Sequence, residues 1–389
     1  MKKVVLAYSG GLDTSVAIRW LKDKGYDVIA YMADVGQGGD FGAIKKRALV
    51  GGASKVIIQD LKEEFATDFI FPLLKANAIY EHKYFLATAL SRPIIAKGLV
   101  AAAKKEKADF VAHGCTGKGN DQVRFEVSCA ILNPKIKTIA PVREWEFASR
   151  ESEIEYAKKK KIPIDVTKKS PYSIDKNLWG VSIECGVLED PWKEPPEDAY
   201  QLTRGKAKAS KKPRYIEIHF DAGIPVELDG AYMKPLELLN ELNKIGSDFG
   251  IGRSDMVENR LVGIKSREVY EAPAATILVT AHKDLEALTL DRETAHFKDA
   301  VSLKYAELVY YGLWYTPLKK ALDVFMNETQ KTVTGTVRIK LEPGRCATVG
   351  RKSKNSLYKE DLATYTAKDK FDQKLAKGFI EIWAMPYKR

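Results

Sequence analysis

Cysteine and histidine are scarce in this chain, four and five among 389 residues, and neither is arranged for metal or redox chemistry. Cys115, Cys129, Cys185 and Cys346 form no Cys-x-x-Cys pair, which removes a zinc knuckle or a redox dithiol, and their wide spacing offers no disulfide framework. Reduced structural thiols are the expectation. Long apolar runs are also missing, since no stretch approaches the roughly 18 residues that a membrane-spanning helix needs. Lys2 and Lys3 precede only a short apolar run, too short for a secretory leader. The cytoplasm is the expected compartment, with no membrane partner. The chain has an excess of positive charge, +11 from 63 Lys and Arg against 52 Asp and Glu. These cations are spread among matching acids rather than gathered into a nucleic-acid surface, and runs such as 158–161 and 206–212 read as solvated helix ends and linkers. A basic background of this kind favours small anions such as nucleotides and dicarboxylates.

Chemistry is concentrated near the N-terminus. The apolar run Val4-Val5-Leu6-Ala7 leads into Tyr8-Ser9-Gly10-Gly11-Leu12-Asp13-Thr14-Ser15, and a helical pattern follows with Leu12, Val16 and Trp20 on one face. Strand, tight turn and helix in that order place free backbone N–H groups and a helix N-terminus where an anion docks. Gly10 and Gly11 permit close backbone approach, while Ser9, Thr14 and Ser15 add hydroxyl donors. The spacing is neither the Walker pattern nor the dinucleotide fingerprint. It resembles the Ser-Gly-Gly-x-Asp-Ser/Thr loop of the ATP pyrophosphatases, which cleave ATP between its α and β phosphates to adenylate a substrate.

The first ~160 residues alternate strands, at 4–8, 28–33, 55–58, 109–113 and 137–140, with helical segments at 12–24, 41–49, 61–80, 86–105 and from about 122. Such alternation predicts an α/β, Rossmann-like parallel sheet covered on both faces, a nucleotide-binding domain over 1–165. Two glycine-bearing loops, at 10–11 and 114–119, follow strands and are predicted to face one cleft. Past 163 the alternation stops and Pro191, Pro195 and Pro196 mark an irregular connection. A hairpin turning at Asp221-Ala222-Gly223, a helix through Leu236, Leu239, Leu242 and Ile245, an apolar segment at 277–281, a helix over 291–311 and strands near 333–339 and 346–349 predict an α+β domain over 166–365. The tail 366–389 carries Phe371, Leu375, Phe379, Ile382 and Trp383 on a helix with nothing local to cover it, so it is expected to dock on a neighbouring subunit.

The second loop, His113-Gly114-Cys115-Thr116-Gly117-Lys118-Gly119-Asn120-Asp121-Gln122, gathers exposed N–H groups, a hydroxyl, an amide and a carboxylate, with Arg124 and Phe125 just beyond. It reads as a second substrate pocket. Together with 7–15, Ala33-Asp34-Val35-Gly36-Gln37, and the runs 84–93, 171–182, 257–260 and 263–274, it resembles the argininosuccinate synthase family, in order from residue 4 to about 282. The resemblance implies a ligase joining citrulline and aspartate with ATP, through a citrullyl-adenylate, with release of AMP and pyrophosphate. It implies ATP held by Ala7, Tyr8, Ser9, Gly10, Gly11, Leu12, Asp13, Thr14, Ser15, Ala33 and Gly114, and Mg2+ on the phosphates with Asp13 as its partner. Aspartate falls to Thr116, Asn120 and Asp121. Citrulline falls to Tyr84, Thr88, Asn120, Arg124, Ser173, Ser182, Glu258 and Tyr270. Asp13, Asp121 and Arg124 are the implied catalytic residues, and the implied assembly is a homotetramer. One departure is Ala89, where the family often has Ser or Thr five positions after the pocket tyrosine; Thr88 is taken in its place. Neither His82 nor His113 stands in a clear general-base position. Two other readings keep the phosphate loop: a tRNA-thiolating enzyme, with Cys185 as its sulfur carrier, and a non-catalytic nucleotide-binding sensor.

Overall fold

Val4, Val5 and Leu6 are all fully buried, as a strand covered on both faces must be, and a continuous apolar run is the sequence form of such a strand. In the computed structural model, which describes residues 1–147, 149–163, 171–205 and 207–388, they lie in β1 (Lys2–Ala7) at the centre of a parallel sheet. Its other strands are β2 (Tyr26–Asp34), β3 (Lys55–Asp60), β4 (Phe110–Ala112) and β5 (Lys137–Ile139), in the order β3-β2-β1-β4-β5. Helices α1 (Leu12–Asp23), α2 (Phe41–Gly51), α3 (Ala87–Glu106), α4 (Asp121–Leu132) and α5 (Arg150–Lys159) belong to this part of the chain. The chain winds outward from β1 to β3 on one side and from β4 to β5 on the other. Between the carboxyl ends of β1 and β4 the winding reverses, and open α/β sheets bind ligands at such a switch point. Both glycine-bearing loops begin there.

The later strands are β6 (Ser173–Asn177), β7 (Gly180–Glu184), β8 (Arg214–Asp221), β9 (Ile224–Leu228), β10 (Ala231–Tyr232), β11 (Arg253–Asn259), β12 (Lys265–Glu271), β13 (Gly335–Glu342) and β14 (Arg345–Lys352). They form two antiparallel sheets, β10-β9-β8-β13-β14 and β11-β12-β7-β6. The first contains the predicted hairpin and strand pair. No apolar alternation marks the second, because its strands are rich in Ser, Asp, Glu, Lys and Arg. Its register explains the polarity: Tyr270 pairs with Ser182 and Ser182 with Asp175, so these residues share a face with Glu258, Glu268 and Glu184. On the reverse face Val181, Ile183 and Val269 pack with Leu188 as a small core.

Helices α6 (Pro235–Asp248), α7 (Pro273–Thr289), α8 (Arg292–Tyr310), α9 (Pro317–Thr329) and α10 (Leu375–Ala384) complete the α+β region. The apolar segment 277–281 lies inside α7, and α10 starts after Phe371, which is therefore not on the tail helix. The expected boundary at 165/166 lies outside the described residues.

Candidate active site

The first loop is held from within. The Tyr8 N–H donates to the Tyr31 carbonyl at 2.8 Å, tying it to the end of β2. Its hydroxyl lies 3.1 Å from Ser15 Oγ, Ser9 Oγ lies 3.1 Å from Thr14 Oγ1, and the Gly11 N–H donates to Ser9 Oγ at 3.3 Å. Gly10 has a φ of +82°, and a Cβ there would stand 2.6 Å from Ile44 Cγ2, so glycine is required. Gly11 caps α1 without a side-chain hydrogen bond, leaving the helix N-terminus for a ligand. The two loops touch: a Cβ on Gly114 would lie 2.7 Å from Thr14 Cγ2. Asp13 turns toward Glu153 of α5, whose carboxyl is pushed up to about 8 by burial and by the Asp13 charge.

A cavity of about 480 Å³ opens between this sheet edge and the polar face of the β6–β7–β12–β11 sheet. Ala7, Tyr8, Ser9, Thr14, Ala33 and Gly114 line it on the side of the first loop and the ends of β1, β2 and β4. Thr116, Asn120, Asp121 and Arg124 line it from the second loop and α4, and Tyr84, Thr88, Ser173, Ser182, Glu258 and Tyr270 from the opposite wall. Gly10, Gly11, Leu12, Asp13 and Ser15 lie in the loop without lining the cavity. Thr88 Oγ1 is 2.6 Å from Ser182 Oγ, whereas Ala89 is fully buried and its N–H donates to Tyr84 Oη at 3.1 Å.

Asp121 opens α4, where a carboxylate is favoured by the helix dipole. Arg92 donates to its Oδ2 from Nε at 2.9 Å and Nη2 at 2.8 Å, and Arg124 Nη1 donates to Oδ1 at 2.9 Å. Burial works to raise this carboxyl, but the two guanidinium groups outweigh it and hold it at about 2. Arg124 Nε also donates to the Tyr310 carbonyl at 2.8 Å. Arg124 is therefore a buried, oriented cation rather than a surface one.

The opposite wall is aromatic and acidic. Tyr84 stacks on Tyr270 with ring centres 4.1 Å apart, and Tyr80 stacks on Tyr310 at 3.6 Å. Tyr270 and Tyr310 each donate a hydroxyl to Glu258, both at 2.5 Å, and burial raises the Glu258 carboxyl. Asn120 joins the walls: its Nδ2 donates to Tyr310 Oη at 2.8 Å and its Oδ1 accepts from the Leu261 N–H at 2.9 Å.

Three further residues shape the site. Arg92, one turn after Thr88 on α3, bridges Asp121 and Asp175. Arg260 joins Glu184 at 2.5 Å and Glu268 at 2.7 Å. The i, i+4 spacing of Thr88 and Arg92 on one apolar helix was the available signal for the first. Tyr310 is brought in by α8 from far along the chain, and no local pattern marks it. No group of three or more potential metal ligands occurs among the described residues.

Two family models cover the chain: the Arginosuccinate synthase N-terminal HUP domain over residues 3–163 and the Arginosuccinate synthase C-terminal domain over residues 172–389. Proteins named argininosuccinate synthase align along its whole length. The one from Halalkalibacterium halodurans is 59% identical over 387 residues, covering 100% of this chain and 94% of its own length. The one from Aquifex aeolicus is 56% identical over 389 residues, covering 100% and 97%. Among solved structures, a 4-thiouridine synthetase bound to RNA and ATP aligns with 41% of this chain and 40% of its own, at 18% identity and a TM-score of 0.31, too distant to bear on function.

Proposed function

The chain belongs to the argininosuccinate synthase family, and from that premise we propose how one cavity divides the work among its residues. The enzyme joins citrulline to aspartate with ATP, in arginine biosynthesis, releasing AMP and pyrophosphate through a citrullyl-adenylate. Ala7 to Ser15, with Ala33 and Gly114, hold the nucleotide. The free N–H groups at the start of α1 and the loop hydroxyls take the phosphates that leave as pyrophosphate. Tyr84, Thr88, Ser173, Ser182, Glu258 and Tyr270 orient citrulline so that its ureido oxygen attacks the α-phosphorus in line, and positioning of this kind supplies much of the rate. Thr116, Asn120 and Asp121 bind aspartate. Asp121, ionised down to about pH 2, clamps its ammonium, and Arg124 supports Asp121 and citrulline alike.

A magnesium ion would neutralise charge on the leaving pyrophosphate. Asp13 would hold such an ion: the Glu153 carboxyl beside it is raised by burial and by the Asp13 charge, so the pair lacks a neutralising cation. With no cluster of three ligands among the described residues, the ion would take its other ligands from phosphate and water.

The observation that carries this reading is the single cavity in which the phosphate loop faces Glu258 and Asp121. Steady-state pyrophosphate release is expected to require citrulline and aspartate together; release with neither amino acid would overturn it. The thiolation reading is not favoured: the Cys185 thiol is raised by burial and by nearby glutamates, which suppresses the thiolate that sulfur transfer needs. We further assign residues 1–165 to the nucleotide domain, 166–365 to the synthetase domain and 366–389 to a tail that helps build a homotetramer in the cytoplasm. No helix among the described residues is long and apolar enough to cross a membrane.

A further inference from the structure

The aspartate amine must lose two protons before and during attack, and Asp121 is a poor acceptor for either because three guanidinium N–H groups already bond its two oxygens. Asp175 stands on the other side of Arg92, whose Nη2 donates to both carboxylates. An ammonium clamped on Asp121 therefore lies beside Asp175. Asp175 lines the cavity from β6, and a third of its side chain is exposed. We propose that Asp175 is the general base of the ligation half-reaction.

Asp175 takes a proton from the aspartate ammonium and frees the nitrogen lone pair. That pair forms the C–N bond at the ureido carbon of the adenylate. The C–O bond breaks, and its electrons leave on the oxygen that becomes a phosphate oxygen of AMP. The second proton on the attacking nitrogen goes to this departing phosphate, and the product keeps its guanidinium charge. The surroundings divide the two carboxylates. Arg92 from α3, Asp121 from α4 and Cys115 from the second loop all face Asp175. Burial and the Asp121 charge raise its carboxyl against the pull of Arg92 and of a hydrogen bond from Thr88, while Asp121 is held low. Two acids whose environments push their affinities apart in one cleft are the usual form of a base beside a binding anion.

The proposal rests on the adenylation reading, so its test separates the half-reactions. Asp175→Asn keeps an acceptor for Arg92 but cannot take a proton. Isotope exchange between pyrophosphate and ATP, supported by citrulline alone, is expected to stay within about threefold of wild type, since the base acts later. Argininosuccinate formation is expected to fall by at least ~100-fold, to rise about tenfold per pH unit as aspartate deprotonates in solution, and to be partly restored in Asp175→Glu. Equal loss of exchange and ligation would make Asp175 a structural partner of Arg92 and overturn the proposal, as would ligation within threefold of wild type. If wild type shows no citrulline-dependent exchange, the adenylation reading itself fails.

Discussion

At the scale of the residue, the Asp121 environment makes the group proposed to bind aspartate a stabilising one as well. Its folded affinity for a proton is depressed to about 2 from an unfolded value near ~3.9. A depressed carboxyl stabilises the fold fully above its unfolded value, and that contribution disappears as pH falls through its folded value. The shift corresponds to roughly 2–3 kcal/mol. Asp121→Asn is therefore expected to lower stability by about 2 kcal/mol at neutral pH, by a constant margin down to about pH 5 and by a vanishing one near about pH 2. Denaturant midpoints for both proteins across that range check it. A margin independent of pH would mean that Asp121 contributes through packing and hydrogen bonds, not through its charge.

At the scale of the element, α3 is the beam that carries Thr88 and Arg92 to the cavity, and its seat against β2 leaves no free space. A Cβ on Gly98 would stand 1.8 Å from Tyr31 Oη, which donates to Gln59 Oε1 at 2.8 Å. Gly98→Ala must shift either the helix or a fully buried tyrosine, and overpacking of this kind costs about 1–3 kcal/mol. Thermal unfolding is expected to show a lowered Tm, and displacement of Arg92 a raised KM for aspartate; an unchanged Tm would show that the helix slides freely. The same element shows what could be read in advance. Its existence, the parallel sheet and the phosphate loop follow from apolar periodicity and from Gly10-Gly11, because burial on both faces and a tight turn leave local marks. The polar sheet does not, since half of each strand faces the cavity and Ser173, Asp175, Glu258 and Glu268 break the alternation that betrays a strand. Arg92, Tyr310 and Arg260 meet Asp121, Asn120 and Glu184 only through tertiary packing, and no local spacing records those meetings.

At the scale of the whole molecule, the cavity and the tail are separable. The residues lining the cavity all fall between Ala7 and Tyr270, whereas α10 presents Leu375, Phe379, Ile382 and Trp383 with 63–70% of each exposed. Aromatic and large aliphatic side chains left in water forgo about 1.5–3 kcal/mol each relative to full burial. An adjacent set of them is the surface proposed above for another subunit. A chain ending at Tyr365 is accordingly expected to sediment as a smaller species than the full chain while keeping citrulline-dependent exchange between pyrophosphate and ATP. Unchanged mass per particle would remove the tail from the assembly. Loss of exchange along with mass would mean that subunit contacts hold the cavity in shape, so that the 20-odd terminal residues act on the chemistry through the partners they recruit.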